Sequence, residues 1–300
     1  MPCSIFPRVQ APRPILTCLL NCARHRRPRV NCNGKSWLGS KHVISVCILT
    51  LNEERNLPAC LAALRWCDDI VVLDCFSTDT TVEIAKEAGA RVYQRACDGE
   101  DRQRLFALKE IEYKHKWVLM PDADEITTDD LRDEMLAIAV DPTRPEALFR
   151  IRYKNMFKGR WIKHSSLYPT WIPRFFRPDR MIGFEREVHL RPLGEGPEGK
   201  LKSHFIHYSF NKGLGAWHKK YNRYSSSEAR ETAECPRNGR IPWSAILSSR
   251  SEGRRRGLKE LSMHIPFRAT ARFVYMYFLR GEFLDGIRSY HYCRMIAPYE

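Results

Sequence analysis

The chain of 300 residues carries 50 lysines and arginines against 35 acidic residues, a net charge of +15 with a pI near 9.4. That length allows a substantial buried core, and 43% hydrophobic with 11% aromatic residues excludes a disordered chain. No apolar run reaches the ~18 residues of a membrane span. Eleven irregularly spaced cysteines without a C-x-x-C pair exclude a disulfide framework or zinc ribbon and point to a reducing compartment.

The chain opens with a basic arm, residues 1–41, which holds eight lysines or arginines and no acid. Its apolar stretch "ILTCLL" is too short for a secretory signal and is followed by "ARHRRPR" rather than a cleavage site, so a disordered arm, or a start codon placed too early, is expected. With the cluster "RSEGRRRGLK" near the other end, this charge suits an anionic lipid surface at least as well as nucleic acid. The nearly balanced middle argues against a nucleic-acid groove through the core.

Regular structure is expected from Lys41. "HVISVCIL" reads as a strand buried on both faces. "TLNEERNLPACLAALRW" follows as a helix with Leu57, Leu61 and Leu64 on one stripe. "DIVVLD" is a second strand, and "STDTTVEIAKEAG" a helix closed by Gly89. "ARVYQR" is a third strand, "EDRQRLFALKEI" a helix, "KWVLM" a fourth strand, and "TTDDLRDEMLAIAV" a helix with an acidic first turn. This alternation predicts an α/β domain with a mainly parallel sheet. Beyond Pro145 the pattern changes to strands "EALFRIRYKNMF", "YPTWIPRFF" and "KLKSHFIHYSF", then a basic helix "AWHKKYNRYSSSEARE". From Arg268 onward aromatics interleave with arginines, which predicts an interfacial helical hairpin rather than a core.

Ligands of open α/β sheets bind beyond the carboxyl ends of the strands. Three strands end there in polar residues: Thr50, Asn52 and Glu53; Asp74, then Ser77, Thr78 and Asp79; and Asp122, Asp124 and Glu125. Each set alone would serve as a helix cap or a solvated turn. Three at one edge suggest a site. Alternation in an extended segment would put Asp122 and Asp124 on one side, where two like charges call for a cation.

The run "ISVCILTLNEERNL…DDIVVLDCFSTDTT…RQRLFALK…WVLMPDADE" resembles inverting nucleotide-sugar glycosyltransferases of family 2, which have the GT-A fold, and among them the bacterial lipopolysaccharide-core β-glucosyltransferase branch. The likeness spans about Val43 to Asn222, with a looser match at "FLRGEFLDG". It implies a GT-A domain over residues 42–230, with a Rossmann-like, mainly parallel sheet and mixed C-terminal strands. A basic, aromatic, membrane-associating region with an amphipathic helical hairpin would follow over residues 231–300. It further implies that Asp74 contacts the base, Asp122 the ribose side, and Asp124, with Asp122, a divalent Mg²⁺ or Mn²⁺ chelated by the diphosphate. Thr50, Asn52 and Glu53 would line the nucleotide pocket. His207 is a further metal candidate, or a core or surface histidine. Arg223 would meet the diphosphate, or belong to an exposed basic helix face. Trp161, Trp171 and Trp217 would stack on acceptor sugar, or fill the core.

In the segment "GFEREVHLRP" many relatives carry a glutamate just after a Val-His or Val-Asn pair; this chain has Leu190 there, which takes no proton. Glu187 is the expected general base, with Glu185 beside it and His189 in reserve. The plainer alternative is a loop of salt bridges with Arg186 and Arg191. The resulting expectation is a metal-assisted hexosyltransferase, cytoplasmic and peripheral on the inner face of the cytoplasmic membrane. It would use a nucleotide-sugar donor such as a UDP-hexose and a glycan or lipid-linked acceptor of the cell envelope, and no nucleic acid. A nucleotidyltransferase is the rival enzyme, although "TLNEERN" lacks its Gly-rich basic loop. A non-catalytic basic adaptor for membrane or nucleic acid would leave Asp74, Asp122 and Asp124 unexplained.

Overall fold

The computed structural model describes residues 43–166, 168–185, 191–234 and 267–299. The expected basic arm, the "RSEGRRRGLK" cluster, Glu187 and His189 lie outside the described residues. Strands β1 (Ile44–Thr50), β2 (Ile70–Asp74), β3 (Arg91–Gln94) and β4 (Trp117–Leu119) alternate with helices α1 (Leu57–Ala63), α2 (Thr81–Glu87) and α3 (Glu100–Lys109). Next come β5 (Glu125–Thr127), α4 (Asp129–Ala139), β6 (Leu148–Phe157), β7 (Arg160–Trp161), β8 (Trp171–Phe176), β9 (Met181–Glu185), β10 (Arg191–Gly194) and β11 (Glu198–His207). Helices α5 (Leu214–Glu234), α6 (Arg268–Val274) and α7 (Ile287–Ile296) complete the described chain.

Among the described residues the main sheet runs β3-β2-β1-β4-β8-β6-β11-β5, with β7 beside β6. The pairs β3-β2, β2-β1, β1-β4 and β6-β11 are parallel; β8 and β5 run against their neighbours. The sheet is therefore mainly parallel with a mixed second half, as the sequence leads one to expect. Alternation explains the layers. Ile44, Val46 and Ile48 of β1 point to one side, where Leu57, Leu61 and Leu64 and the α4 residues Leu131, Met135 and Ile138 cover them. Cys47, Val71, Leu73, Val118 and Met120 point to the other, against Ala107 and Leu108 of α3. Gly89 ends the α2 region at φ +79°, a conformation that L side chains rarely adopt.

At the end of the sheet opposite the polar strand ends, Asp69 ties three segments together. It accepts from Ser45 Oγ of β1, from the Lys114 N–H at 2.9 Å and from Arg91 Nη2 of β3 at 2.8 Å. Burial alone would raise this carboxyl; the bonds from Ser45, Lys114 and Arg91 outweigh it and hold the group below its usual range. A carboxyl lowered on folding adds stability above its unfolded pKa and loses it as the pH falls through the folded value. Asp69→Ala is therefore expected to cost about 2–3 kcal/mol at neutral pH, less than a fully buried pair because Arg91 is partly exposed. The cost should shrink below about pH 4. Denaturant midpoints at the two pH values check this; a loss that does not depend on pH would contradict it.

The segment from Arg268 differs from the expected surface hairpin. Met276, Tyr292, Cys293 and Ile296 are buried with Phe157, Ile162 and Trp217 in a core of their own. The Asp285 carboxylate accepts from the N–H groups of His164 (2.8 Å) and Ser165 (2.9 Å), fixing this segment to the loop after β7. The reason is periodicity: Ser289, Tyr292, Cys293 and Ile296 form an inward stripe on α7. Only the opposite side of the hairpin stays exposed. Among the described residues no helix is long and apolar enough to cross a membrane.

Candidate active site

The polar residues at the ends of β1 and β2 are wired to one another. The Asp74 carboxylate is fully buried and accepts from Thr50 Oγ1 at 2.9 Å, from the Ser77 N–H at 2.8 Å and its hydroxyl, and from Gln94 Nε2 at 3.2 Å. Asn52 takes φ +54°, donates its N–H to Ser77 Oγ (2.8 Å) and accepts the Thr78 N–H (2.8 Å). The Glu53 carboxylate accepts from Asn56 Nδ2 at 2.8 Å and pairs with Lys212, which also donates to the Leu51 carbonyl at 3.2 Å. Burial raises the Glu53 carboxyl, and nearby Asp124 adds to that effect while Lys212 and Asn56 oppose it. Lys212 thus joins the first-strand turn to the segment after β11.

Beyond β4 the three carboxylates part company. Asp122 bridges to Leu49 beside β1, and the chain then turns through Ala123 and Asp124, the Glu125 N–H donating to the Asp122 carbonyl at 2.9 Å. The extended geometry expected for Asp122 and Asp124 is therefore absent, because a turn intervenes before β5. The Asp122 carboxylate lies between two guanidiniums: Arg104 Nη2 of α3 donates to Oδ1 at 2.7 Å, and Arg174 Nη2 of β8 donates to Oδ2. Arg174 also holds the buried Glu125, through Nε at 2.9 Å and Nη2 at 3.1 Å. Burial works to raise the Asp122 carboxyl, but Arg174 and Arg104 prevail and keep it below the usual range. For Glu125 burial prevails and the carboxyl is raised despite Arg174. Both oxygens of Asp122 are thus paired with arginines.

Asp124 remains. Its Oδ2 lies 3.4 Å from Nε2 of His207, which ends β11 opposite Glu125 of β5 and Asn155 of β6. Burial disfavours the Asp124 carboxylate, yet the histidine more than compensates and the group is held far below the ordinary range. His207 is raised in turn: burial lowers it, and Asp124 overcomes that. Among the described residues no three His, Cys, Asp or Glu side chains converge as a metal cage. One carboxylate and one imidazole do fit a hard divalent ion that takes its other ligands from phosphate oxygens and water.

The structure thus brings Thr50, Asn52, Glu53, Asp74, Asp122, Asp124 and His207 to one edge of the sheet. The Glu185 carboxylate pairs with Arg191 at 3.4 Å on the exposed β9-β10 surface. Glu187 is outside the described residues, as is the Arg223 side chain. Another cation of the same helix, Lys220, contributes positive potential at Asp122 and Asp124. Trp217 is core, 4.0 Å from Tyr221 ring to ring. Trp161 and Trp171 are partly buried, with Lys154 over the first ring and Arg152 and Lys200 over the second. Sequence reasoning missed Arg104, Arg174 and Lys212. The signal for Arg174 was a lone arginine in the apolar run "WIPRFF".

Residues 45–192 match the family model described as glycosyl transferase family 2. That stretch is similar to glycosyl transferase family 2 domains. An uncharacterized glycosyltransferase of Rickettsia typhi is 35% identical over 118 residues, 39% of this chain and 40% of that protein. An uncharacterized glycosyltransferase of Rickettsia bellii is 37% identical over 137 residues, 45% and 42% of the two chains. The chain spans about two fifths of the length of these curated relatives. Among solved structures, S. aureus TarS 1-349 in complex with UDP-GlcNAc is 18% identical, with 85% of this chain and 91% of that chain covered and a TM-score of 0.41.

Proposed function

We propose that this chain transfers a hexose from a nucleoside-diphosphate sugar, a UDP-hexose in the simplest case, to a hydroxyl of a lipid-linked or cell-envelope glycan. The observation that carries this is the Asp124–His207 pair beside an arginine-clamped Asp122, at the carboxyl edge of the sheet in a stretch similar to family 2 domains. Asp124 and His207 would hold Mg²⁺ or Mn²⁺, which when bound neutralises negative charge on the departing diphosphate. Asp122, its carboxylate oriented by Arg104 and Arg174, would accept ribose hydroxyls. Asp74 would meet the base, exchanging one of its internal bonds for the ligand. Lys220 contributes positive potential at Asp122 and Asp124, where the diphosphate would lie, and Arg223 is proposed to meet the diphosphate.

Inversion is proposed as a single in-line displacement, with the acceptor hydroxyl giving its proton to a carboxylate. Glu187 is proposed as that base, with Glu185 next in line. Glu187→Gln should reduce turnover by roughly 10²-fold or more with donor affinity nearly unchanged. If Glu185→Gln alone impairs turnover, the base lies two residues upstream. An acceptor in the cell envelope, of the kind used by the lipopolysaccharide-core branch, and a position on the inner face of the cytoplasmic membrane belong to the same reading.

Calorimetry of the full chain with UDP, in the presence and absence of Mn²⁺, tests the donor half. Binding that strengthens with the metal is expected. Equal binding without metal would remove the metal from the proposal, and no binding under either condition would overturn it. Mass spectrometry of envelope glycans from cells with and without the protein tests the acceptor half.

A further inference from the structure

The helical end of the chain contains a cavity of about 370 Å³ that the transferase site does not use. Lys158 from the β6-β7 turn, His218 of α5, and His291 and Arg294 of α7 line it, together with apolar groups such as Leu214 and Met295. Among the described residues, no acidic side chain contributes to its wall. Four cationic or protonatable groups around an apolar floor fit an anion that carries an apolar substituent.

The surface leading away from the cavity says what that substituent is. Ile287, His291 and Arg294 are spaced i, i+4, i+7 on α7 and all three are exposed, so they share one outer stripe. Ile287 is 65% exposed, and Leu284 and Leu279 just before it are 64% and 77% exposed. The only acids between residues 267 and 299 are Glu282 and Asp285, and both turn inward. Glu282 accepts from Cys293 Sγ, and Asp285 holds His164 and Ser165. Among the described residues the outer face is thus aliphatic and positive with no exposed acid. A second copy would set this positive face against itself in an isologous contact. Nucleic acid would leave Leu279, Leu284 and Ile287 uncovered. An anionic lipid surface answers both features.

We propose that the cavity binds the phosphate of a membrane lipid, with the apolar part of that lipid against Leu284 and Ile287. The cavity lies at the carboxyl edge of the sheet. Phe157 in its wall is two residues beyond Asn155, the register partner of His207, or ~7 Å along the strand. A lipid phosphate held there would sit on the same edge as Asp124. This deepens the acceptor reading above and rests on it only in taking the bound lipid as the acceptor's carrier.

The test is co-sedimentation of the full chain with phosphatidylcholine vesicles that contain phosphatidic acid, phosphatidylserine or neither. Binding is expected to be strongest with phosphatidic acid, whose phosphate monoester can enter the cavity. The double variant Lys158→Glu, Arg294→Glu should lose at least ~10-fold of that binding, since each basic residue near the surface contributes about fivefold. Leu284→Ser with Ile287→Ser should also lose it. All four positions are exposed and lie outside the donor machinery, so UDP binding should be unchanged in both variants. Vesicle binding is measured without donor and UDP binding without vesicles, so either reading can fail alone. Equal binding to phosphatidic acid and phosphatidylserine, or full binding by the charge-reversed variant, would overturn the phosphate site. If inorganic phosphate binds the chain tightly while Leu284→Ser, Ile287→Ser leaves vesicle binding intact, the ligand is free phosphate and the lipid assignment fails.

Discussion

Replacing Arg174 with alanine should lower the unfolding free energy by about 3–5 kcal/mol, the range for removing one partner of a buried ion pair. The size follows from what is left behind. Glu125 is 1% exposed and would keep a carboxylate with no guanidinium beside it, while Asp122 would keep only Arg104. Arg174→Lys should recover only part of the loss, since one ammonium cannot span two carboxylates as the guanidinium fork does. The pH dependence has a definite sign. Glu125 is already raised by burial, and without Arg174, the strongest group opposing that rise, it would be raised further. A carboxyl raised on folding is a penalty at neutral pH that disappears when it takes a proton. The variant should therefore regain part of its lost stability, relative to the parent, as the pH falls. Urea unfolding at neutral and mildly acid pH measures this. A loss under about 1 kcal/mol, or one that grows on acidification, would show that the network is not the buried pair described.

Asp124→Asn should reduce metal-dependent UDP affinity and turnover by roughly 10²-fold or more while leaving the fold intact. The amide keeps the shape of the carboxylate, and its oxygen can still accept from His207, so the turn after β4 should persist. What disappears is the negative charge, which is the feature a hard cation needs. The matching control is Asp122→Asn. It should disturb the arginine clamp and weaken UDP binding both with and without Mn²⁺, because Asp122 already has its cations. If the two substitutions have the same metal dependence, the division of labour between Asp122 and Asp124 is wrong.

Much of the α/β half was legible from pattern alone. "ISVCILT", "IVVLD" and "WVL" are strands because continuous β-branched and apolar runs suit burial on both faces, and Leu57, Leu61 and Leu64 fall on one buried helical stripe as their spacing requires. The strand ends gathered at one edge for the same reason. What local pattern could not show was long-range pairing. Arg174 reaches Asp122 because β8 inserts next to β4, and nothing in "MPDADE" records that neighbour. Period-2 reasoning also failed at Ala123, where a turn replaces the extended chain. At the C-terminal end the composition was aromatic and basic throughout. The stripe of Ser289, Tyr292, Cys293 and Ile296 decides which side is core, and composition does not resolve faces.

The place of β8 in the sheet bears on the order in which the protein can be made. Strand β4 (Trp117–Leu119) has β1 on one side, synthesised before it, and β8 (Trp171–Phe176) on the other, synthesised some fifty residues later. A nascent chain that has emerged only as far as Tyr168 has the four parallel strands, Asp122 and Glu125, but no Arg174 to receive the two acids. At ribosomal speeds that gap lasts seconds, long compared with the microseconds in which chains collapse. During that interval Glu125 must stay hydrated or protonated, which holds the carboxyl edge open. Arrival of β8 supplies the guanidinium and the missing strand together. Synthesis halted before residue 174 would thus leave a half-sheet whose carboxyl edge lacks its guanidinium and its neighbouring strand.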